Sequence, residues 1–472
     1  MLCAGVCYHP ECPIEQLRIL VDGHSHLPAA FGMPRPDESP PQEDPGGLRY
    51  HSGFWGTVQI PARERPSTID LRLAARLANG REVDCSLGEI TVLAREAPPS
   101  RTAEPASSGP GLIAICMTTF DPDLSLFETQ LQSLRSQSDE RWICLISDDC
   151  SSPERYEQIR QIVGEDHRFA ISRSELRLGF YRNFERVLAM VPAEAELVAL
   201  SDQDDRWDPD KLRVLRNALG HAVLVYSDQR LVDAGGKVLR DTLWKGRSNN
   251  YTSLASMLVA NTITGAAAMF RRELLEVALP FPDPPGFQFH DHWLAVAALA
   301  AGDVAYVDRP MYDYVQHPGA VFGDVTHGAE APPPAGRLSA IFRLRNTLAI
   351  STEWRAAYFY GYLARETQAQ ALLARCGPLL TPRKRRVLER FTACQDSPSA
   401  LAWLASRPVR CLLGRNETLG TEIDLARGIA WKWLIGVRAR HLRRRGGPLG
   451  DASIPPLQSF SQRRLRRWRA QL

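Results

Sequence analysis

Long apolar runs are missing from this chain: no window approaches 18 uninterrupted apolar residues, so no membrane-spanning helix is expected. A basic lead followed by an apolar stretch is missing from the N-terminus, so no secretory leader is expected. The ten cysteines never form paired C-x2-C knuckles, which argues against a zinc ribbon. Only Cys3, Cys7, His9 and Cys12 gather closely enough to be weighed as a metal group. Cys116 and Cys144 lie inside apolar strands, where a free thiol acts as a small hydrophobe, and a reduced, cytoplasmic compartment suits that usage. Net charge is also small, with 57 Lys and Arg against 54 Asp and Glu. It is unevenly placed, because from Trp431 onward 11 Lys or Arg face the single acid Asp451.

At 472 residues the chain is long enough for several domains. Residues 1–96 read as short strands at Leu17–Val21, Gly53–Ile60, Leu71–Leu77, Arg81–Cys85 and Glu89–Leu93, with Asn79-Gly80 as a hairpin turn. That spacing predicts a small β-sandwich accessory domain without a catalytic cluster, serving as an interaction or acceptor-binding module or as a spacer. Residues 97–110 are a Pro/Ser linker. From residue 111 to 328 apolar strands alternate with helical spacing, which predicts an α/β unit: a mostly parallel sheet with helices on both faces. Residues 329–472 read as a helical region with a basic C-terminal tail.

In parallel sheets ligands bind beyond the carboxyl ends of the strands, and here the polar groups gather at those ends. They are Thr118-Thr119-Phe120-Asp121, Asp148-Asp149-Cys150-Ser151 and Ser201-Asp202-Gln203-Asp204-Asp205. Three acids after one strand repel each other unless a cation lies between them, and carboxylate oxygens suit Mg²⁺ or Mn²⁺. The pattern is that of a nucleotide pocket with a metal at its diphosphate end. Thr119 and Asp148 can bond a base and ribose, Phe120 offers a ring face, and Asp202 or Asp204 can hold the ion. Alternatives remain open, since Asp148-Asp149 can equally cap the next helix. Arg182, at a helix start, either lines the donor pocket or lies on an exposed face. His317 is either an ion or diphosphate contact or an ordinary surface residue.

The series Met117-Thr118-Thr119-Phe120-Asp121, Ser147 to Ser151, Ser201 to Trp207, Asn261 to Gly265, His290-Asp291-His292-Trp293 and Tyr314-Val315-Gln316-His317 resembles family 2 glycosyltransferases of the GT-A fold. The last two motifs are similar to those of bacterial rhamnosyltransferase-type members. The resemblance implies that Thr119 and Asp148 or Asp149 contact the nucleoside of a nucleotide-diphosphate-sugar donor, and Phe120, Asp121, Asp202 and Arg182 are read from their positions as the other donor-site residues. It implies Asp202-Gln203-Asp204 as the metal-binding Asp-x-Asp and Asp291 as catalytic base, while His317 is a further metal ligand only by its own chemistry. His292 and Val315 depart from the pattern. The implied partners are a nucleotide-diphosphate sugar, best rhamnose, and a glycan or lipid-linked glycan acceptor of cell-surface polysaccharide. The basic C-terminal helix interleaved with Trp suits an anionic membrane surface, and no nucleic-acid-binding signature accompanies it. A sugar nucleotidyltransferase would carry a basic Gly-rich loop after its first strand, and Thr118 to Asp123 holds neither Gly nor Lys. A non-catalytic nucleotide-sugar or glycan-binding protein is the other alternative.

Overall fold

The computed structural model describes residues 1–28, 30–33, 35, 47–58, 60, 65–92, 111–244, 247–249, 251–283, 285–286, 288–317 and 347–442. Two small antiparallel sheets come first. One orders β1 (Leu2–Val6), β5 (Gly53–Thr57) and β4 (Ala30–Met33). The other orders β3 (His24–His26), β2 (Ile14–Val21), β6 (Ser67–Leu77) and β7 (Glu82–Val92). Alternate residues of β6, from Ile69 to Ala75, are buried, as a strand with one covered face requires. They share one core with Leu17 and Ile19 of β2 and Phe54 of β5. The turn after Leu77 carries Gly80 at φ 82°, and the two strand stretches expected after it are one strand, β7.

The large sheet is built from β8 (Ile113–Thr119), β9 (Trp142–Asp148), β10 (Phe169–Arg173), β11 (Leu197–Ser201), β12 (Arg206–Trp207), β13 (Leu224–Asp233), β14 (Val238–Arg240), β15 (Ala268–Arg271) and β16 (Val304–Gln316). Its order is β10-β9-β8-β11-β15-β13-β16-β12, with β14 beside β13. The half from β10 to β11 is parallel. Beyond it the sheet is mixed, because β15 enters antiparallel to β11 and to β13, while β13 and β16 run parallel. All seven residues of β9 are buried, which demands cover on both faces.

The helices between these strands are α1 (Leu124–Arg135), α2 (Pro153–Val163), α3 (Phe180–Ala189), α4 (Lys211–Leu219), α5 (Leu254–Val259), α6 (Leu274–Ala278) and α7 (His290–Ala301). Their starts follow local rules: Asp123 accepts the Ser125 and Leu126 amides, and Ser152 caps α2 with Pro153 in its first turn.

After residue 346 the described chain is helical. α8 (Thr347–Ala356) runs through a π-helical stretch, Ala357–Leu363, into α9 (Ala364–Arg375). Then come α10 (Pro382–Thr392), α11 (Pro398–Ser406), a 3-10 segment Arg407–Leu413 and α12 (Thr421–Leu442). A Cβ on Gly428 of α12 would collide with the Tyr358 backbone, so glycine is what lets α12 and the π-helical stretch cross this closely. Trp55 of β5 packs on Phe359, Tyr358 and Trp431, with ring centroids 5.2, 6.2 and 6.5 Å away. The N-terminal sheets are thus joined to the helical region. The 97–110 linker, the helical spacing at Leu338, Ile341 and Leu344 and the basic tail from Arg443 lie outside the described residues. Among the described residues no helix is long and apolar enough to cross a membrane.

Candidate active site

β8, β9 and β11 end side by side, so Thr119, Asp148 and Ser201 reach the same carboxyl edge. Thr119 Oγ1 donates to Asp148 Oδ1 at 3.0 Å, and Ser151 adds a hydroxyl bond to Oδ1 at 2.6 Å and its amide to Oδ2 at 2.9 Å. Asp149 turns the other way. Its two oxygens accept the Leu178 and Gly179 amides at 2.6 and 2.9 Å, which fixes the approach to α3. Asp121 is held as firmly, accepting the Ser152 amide at 3.1 Å while its own amide donates to Ser151 Oγ at 2.8 Å. Arg177 lies over the Phe120 ring, 3.3 Å from its centroid, so one ring face is already covered by a cation.

The turn after β11 is pinned by Gln203, whose Oε1 accepts the Phe120 amide at 2.8 Å. Asp204 Oδ2 meets His317 Nε2 at 2.8 Å, and that bond holds the imidazole above its ordinary pKa. Asp205 is 1% exposed, and its Oδ2 is buried without a hydrogen-bond partner. Burial pushes Asp205 well up and Lys211 well down, while the opposite charge of each resists the other's shift. Lys211 is enclosed at the start of α4, 3.4 Å from the Trp207 ring centroid, with its ammonium donating to the Ala266 carbonyl. Asp202 is pushed up to about 7, first by burial and then by the charges of Asp204 and Asp291.

An orphaned carboxylate oxygen beside mutually repelling acids is what a hard divalent cation relieves, so the donor set fits Mg²⁺ or Mn²⁺. Among the described residues no three His, Cys, Asp or Glu side chains converge as a ready cage. Such an ion would be held by the carboxylates of Asp202 and Asp204, with water and phosphate oxygens completing its shell.

Asp291 opens α7. The preceding His290 is stacked on Phe184 of α3, with centroids 3.5 Å apart, and burial brings it down to about 3, so it is neutral. A Cβ on Gly265 would stand 2.6 Å from His290 Nε2. Only glycine leaves room there, and its amide bonds the Asp291 carboxyl together with the Asn261 side chain and the His292 amide, the last at 2.6 Å. Burial outweighs these donors and pushes Asp291 up to about 7. The residue keeps an intermediate share of its surface open, enough to be reached.

The strand ends therefore bring Thr119, Phe120, Asp121, Asp148 and Asp149 together, and Asp202 links Asp204 to Asp291 electrostatically. Arg182 bonds Glu185 at 2.6 Å and the Phe281 carbonyl at 3.2 Å and pairs with Asp283 at 3.0 Å. His317 stands against the acids after β11 through its 2.8 Å contact with Asp204. At the N-terminus Cys3 is buried in the sheet core, and among the described residues no three His, Cys, Asp or Glu side chains gather there. His292 is structural, its Nε2 lying 2.7 Å from the Met257 carbonyl. Residues whose part was not foreseen are Ser151, Gln203, Arg177, Lys211, Asn261 and Gly265. The one usable signal was position, since Gln203, Asn261 and Gly265 lie inside the recognised motifs.

With this geometry in place, comparison with known proteins gives a class. Residues 115–279 match the family model described as Glycosyl transferase family 2. Residues 115–279 thus carry the sequence pattern of a family 2 glycosyltransferase domain. A curated relative, the uncharacterized protein y4gI of Sinorhizobium fredii, is 28% identical over 133 residues, which is 27% of this chain and 14% of that protein's length. Among solved structures, S. aureus TarS 1-349 overlays with TM-score 0.41 at 13% identity, covering 72% of this chain and 95% of that one. The mannosyltransferase PcManGT from Pyrobaculum calidifontis, solved with GDP-Man and Mn2+, overlays with TM-score 0.36 at 14% identity, covering 72% of this chain and 90% of that one.

Proposed function

We propose that the chain is an inverting, metal-dependent glycosyltransferase that moves a sugar, best rhamnose, from a nucleotide-diphosphate donor to a hydroxyl of a glycan or lipid-linked glycan in cell-surface polysaccharide assembly. The observation that carries the reading is electrostatic: Asp202 feels both Asp204 and Asp291, so a cation-demanding pair and a raised carboxyl share one edge. The divalent ion, when bound, stabilises the charge that grows on the departing diphosphate. Asp202 and Asp204 hold that end of the donor. The nucleoside lies against the Phe120 ring, over the Thr119–Asp148 pair that frames this end of the pocket, and Gln203 keeps their loop in register with the acids.

Asp291 accepts the acceptor's hydroxyl proton as that oxygen bonds to the anomeric carbon. The carbon to phosphate-oxygen bond breaks with its electron pair, on the opposite face, in the same step. A carboxyl near 7 suits this role, because a base is most effective when its pKa lies near the working pH. Asn261 and the Gly265 amide orient it, and neutral His290 packs beneath without competing for the proton. The N-terminal sheets serve as an accessory module clamped to the helical region through Trp55. The basic tail holds the protein on the cytoplasmic face of an anionic membrane.

The test is a panel of nucleotide sugars offered with Mg²⁺, Mn²⁺ or chelator to the intact chain and to Asp291→Asn. Consumption of one donor, only with metal and only by the parent, is expected. Metal-independent turnover, or equal transfer by Asp291→Asn, would refute the mechanism.

A further inference from the structure

The 3-10 segment after α11 is arranged the wrong way round for a surface in water. Such a segment ordinarily turns its charges outward and its aliphatic residues inward. Here Arg407 pairs with Glu422 at 3.5 Å and Arg410 with Glu417, both acids being buried. Val409, Leu412 and Leu413 stand 61%, 82% and 79% exposed. The guanidiniums act as fasteners: each donates to Ser256 Oγ of α5, at 2.9 and 3.0 Å, and Ser256 donates to Glu417 at 2.9 Å.

The segment is also tied to the wall that carries the base. Ser248 Oγ donates to the Gly414 carbonyl at 2.8 Å, directly after the leucines. Arg247 joins the Glu417 carbonyl, at 2.9 Å, to the Asn261 carbonyl, at 2.7 Å, and the Asn261 side chain bonds Asp291. The exposed leucines are thus connected through Gly414, Ser248, Arg247 and Asn261 to the reacting carboxyl.

We propose that Val409, Leu412 and Leu413 insert into the headgroup boundary of an anionic bilayer and seat the Asp291 wall against it. This deepens, and rests on, the reading of a membrane-borne acceptor. A bilayer is the occupant the charge favours. From Pro398 to Asn416 there is no Asp or Glu, Arg415 is exposed beside the leucines, and the chain ends in the Arg-rich tail. The acids here, Glu417 and Glu422, are buried against Arg410 and Arg407, so the exposed aliphatic side chains stand beside Arg415, which matches a boundary that is apolar within and anionic at its surface.

The experiment compares the full chain with L412D/L413D by co-sedimentation with vesicles of phosphatidylglycerol and phosphatidylcholine or of phosphatidylcholine alone. Both proteins are also assayed for donor hydrolysis without lipid and for mass by light scattering. Binding of the parent to the anionic vesicles is expected, with a fall of about tenfold or more in the variant and unchanged lipid-free hydrolysis. Equal binding by both would assign attachment to the tail alone and overturn the proposal. So would a parent that ignores vesicles, or a parent dimer that the variant turns into a monomer. If vesicles are bound through the leucines but no donor is consumed, the docking surface stands and the transferase reading falls.

Discussion

Two groups of carboxylates meet at the edge of the large sheet, and they are treated in opposite ways. On the parallel half, Asp148 and Asp149 end their strand among donors: Thr119 and Ser151 satisfy the first, the Leu178 and Gly179 amides the second. Across β11, Asp205 keeps an orphaned oxygen, and Asp202 and Asp291 are each pushed up to about 7. An acid whose oxygens are filled by the protein builds the site. Asp205, short of a partner, and Asp202, crowded by Asp204 and Asp291, are what a cation relieves, whereas Asp291 has its donors and is raised by burial.

Substitutions can break that contrast. The largest effect is expected at Asp291→Asn, where kcat should fall by about 10²- to 10⁴-fold with donor affinity retained, as single-turnover kinetics would show. Asp204→Ala should cost about 10²-fold or more in kcat and remove the response to added Mn²⁺, read by metal titration of the rate. By contrast Asp149→Ala should lose roughly 2–4 kcal/mol of stability, because two amides are left unpaired, and denaturant unfolding would measure it. A large loss of kcat without loss of stability there would move Asp149 into the reactive group. Gly265→Ala should cost about 1–3 kcal/mol through the collision with His290 and weaken the amide bond to Asp291. Its signature is a lower Tm together with a lower kcat.

The smallest effect is the pH profile. Folding raises Asp291 from 3.8 to about 7, so the native state holds a proton that the unfolded chain releases. Its contribution to stability is present below pH 4 and is lost as pH rises through about 7, whereas base activity appears over the same rise. The kcat/KM profile should therefore climb with pH through that region, and Asp291→Asn should flatten it.

The strand-helix alternation made the catalytic unit legible in the sequence, since β8, β9 and β11 are continuous apolar runs with their polar residues at one end. The antiparallel entry of β15 was not legible, because Ala268–Arg271 has no period of its own and takes its direction from its neighbours. Asp202, Asp204 and Asp291 could be read as a series of motifs. The bonding of Asp148 and Asp149 could not, because it depends on Ser151, Leu178 and Gly179 arriving from other turns. Arg182 shows the same limit: its position at a helix start left a ligand contact and an exposed face equally open, and its pairing with Glu185 and Asp283 had no signal in the sequence.

The most direct test is calorimetric titration of UDP, GDP and dTDP into the parent, Asp291→Asn and Asp204→Ala, with and without Mn²⁺. Metal should tighten binding of one nucleotide in the parent and in Asp291→Asn, and fail to do so in Asp204→Ala. Retention of the metal effect in Asp204→Ala would show that the acids after β11 do not hold the diphosphate end, and the division between the two groups of carboxylates would have to be redrawn.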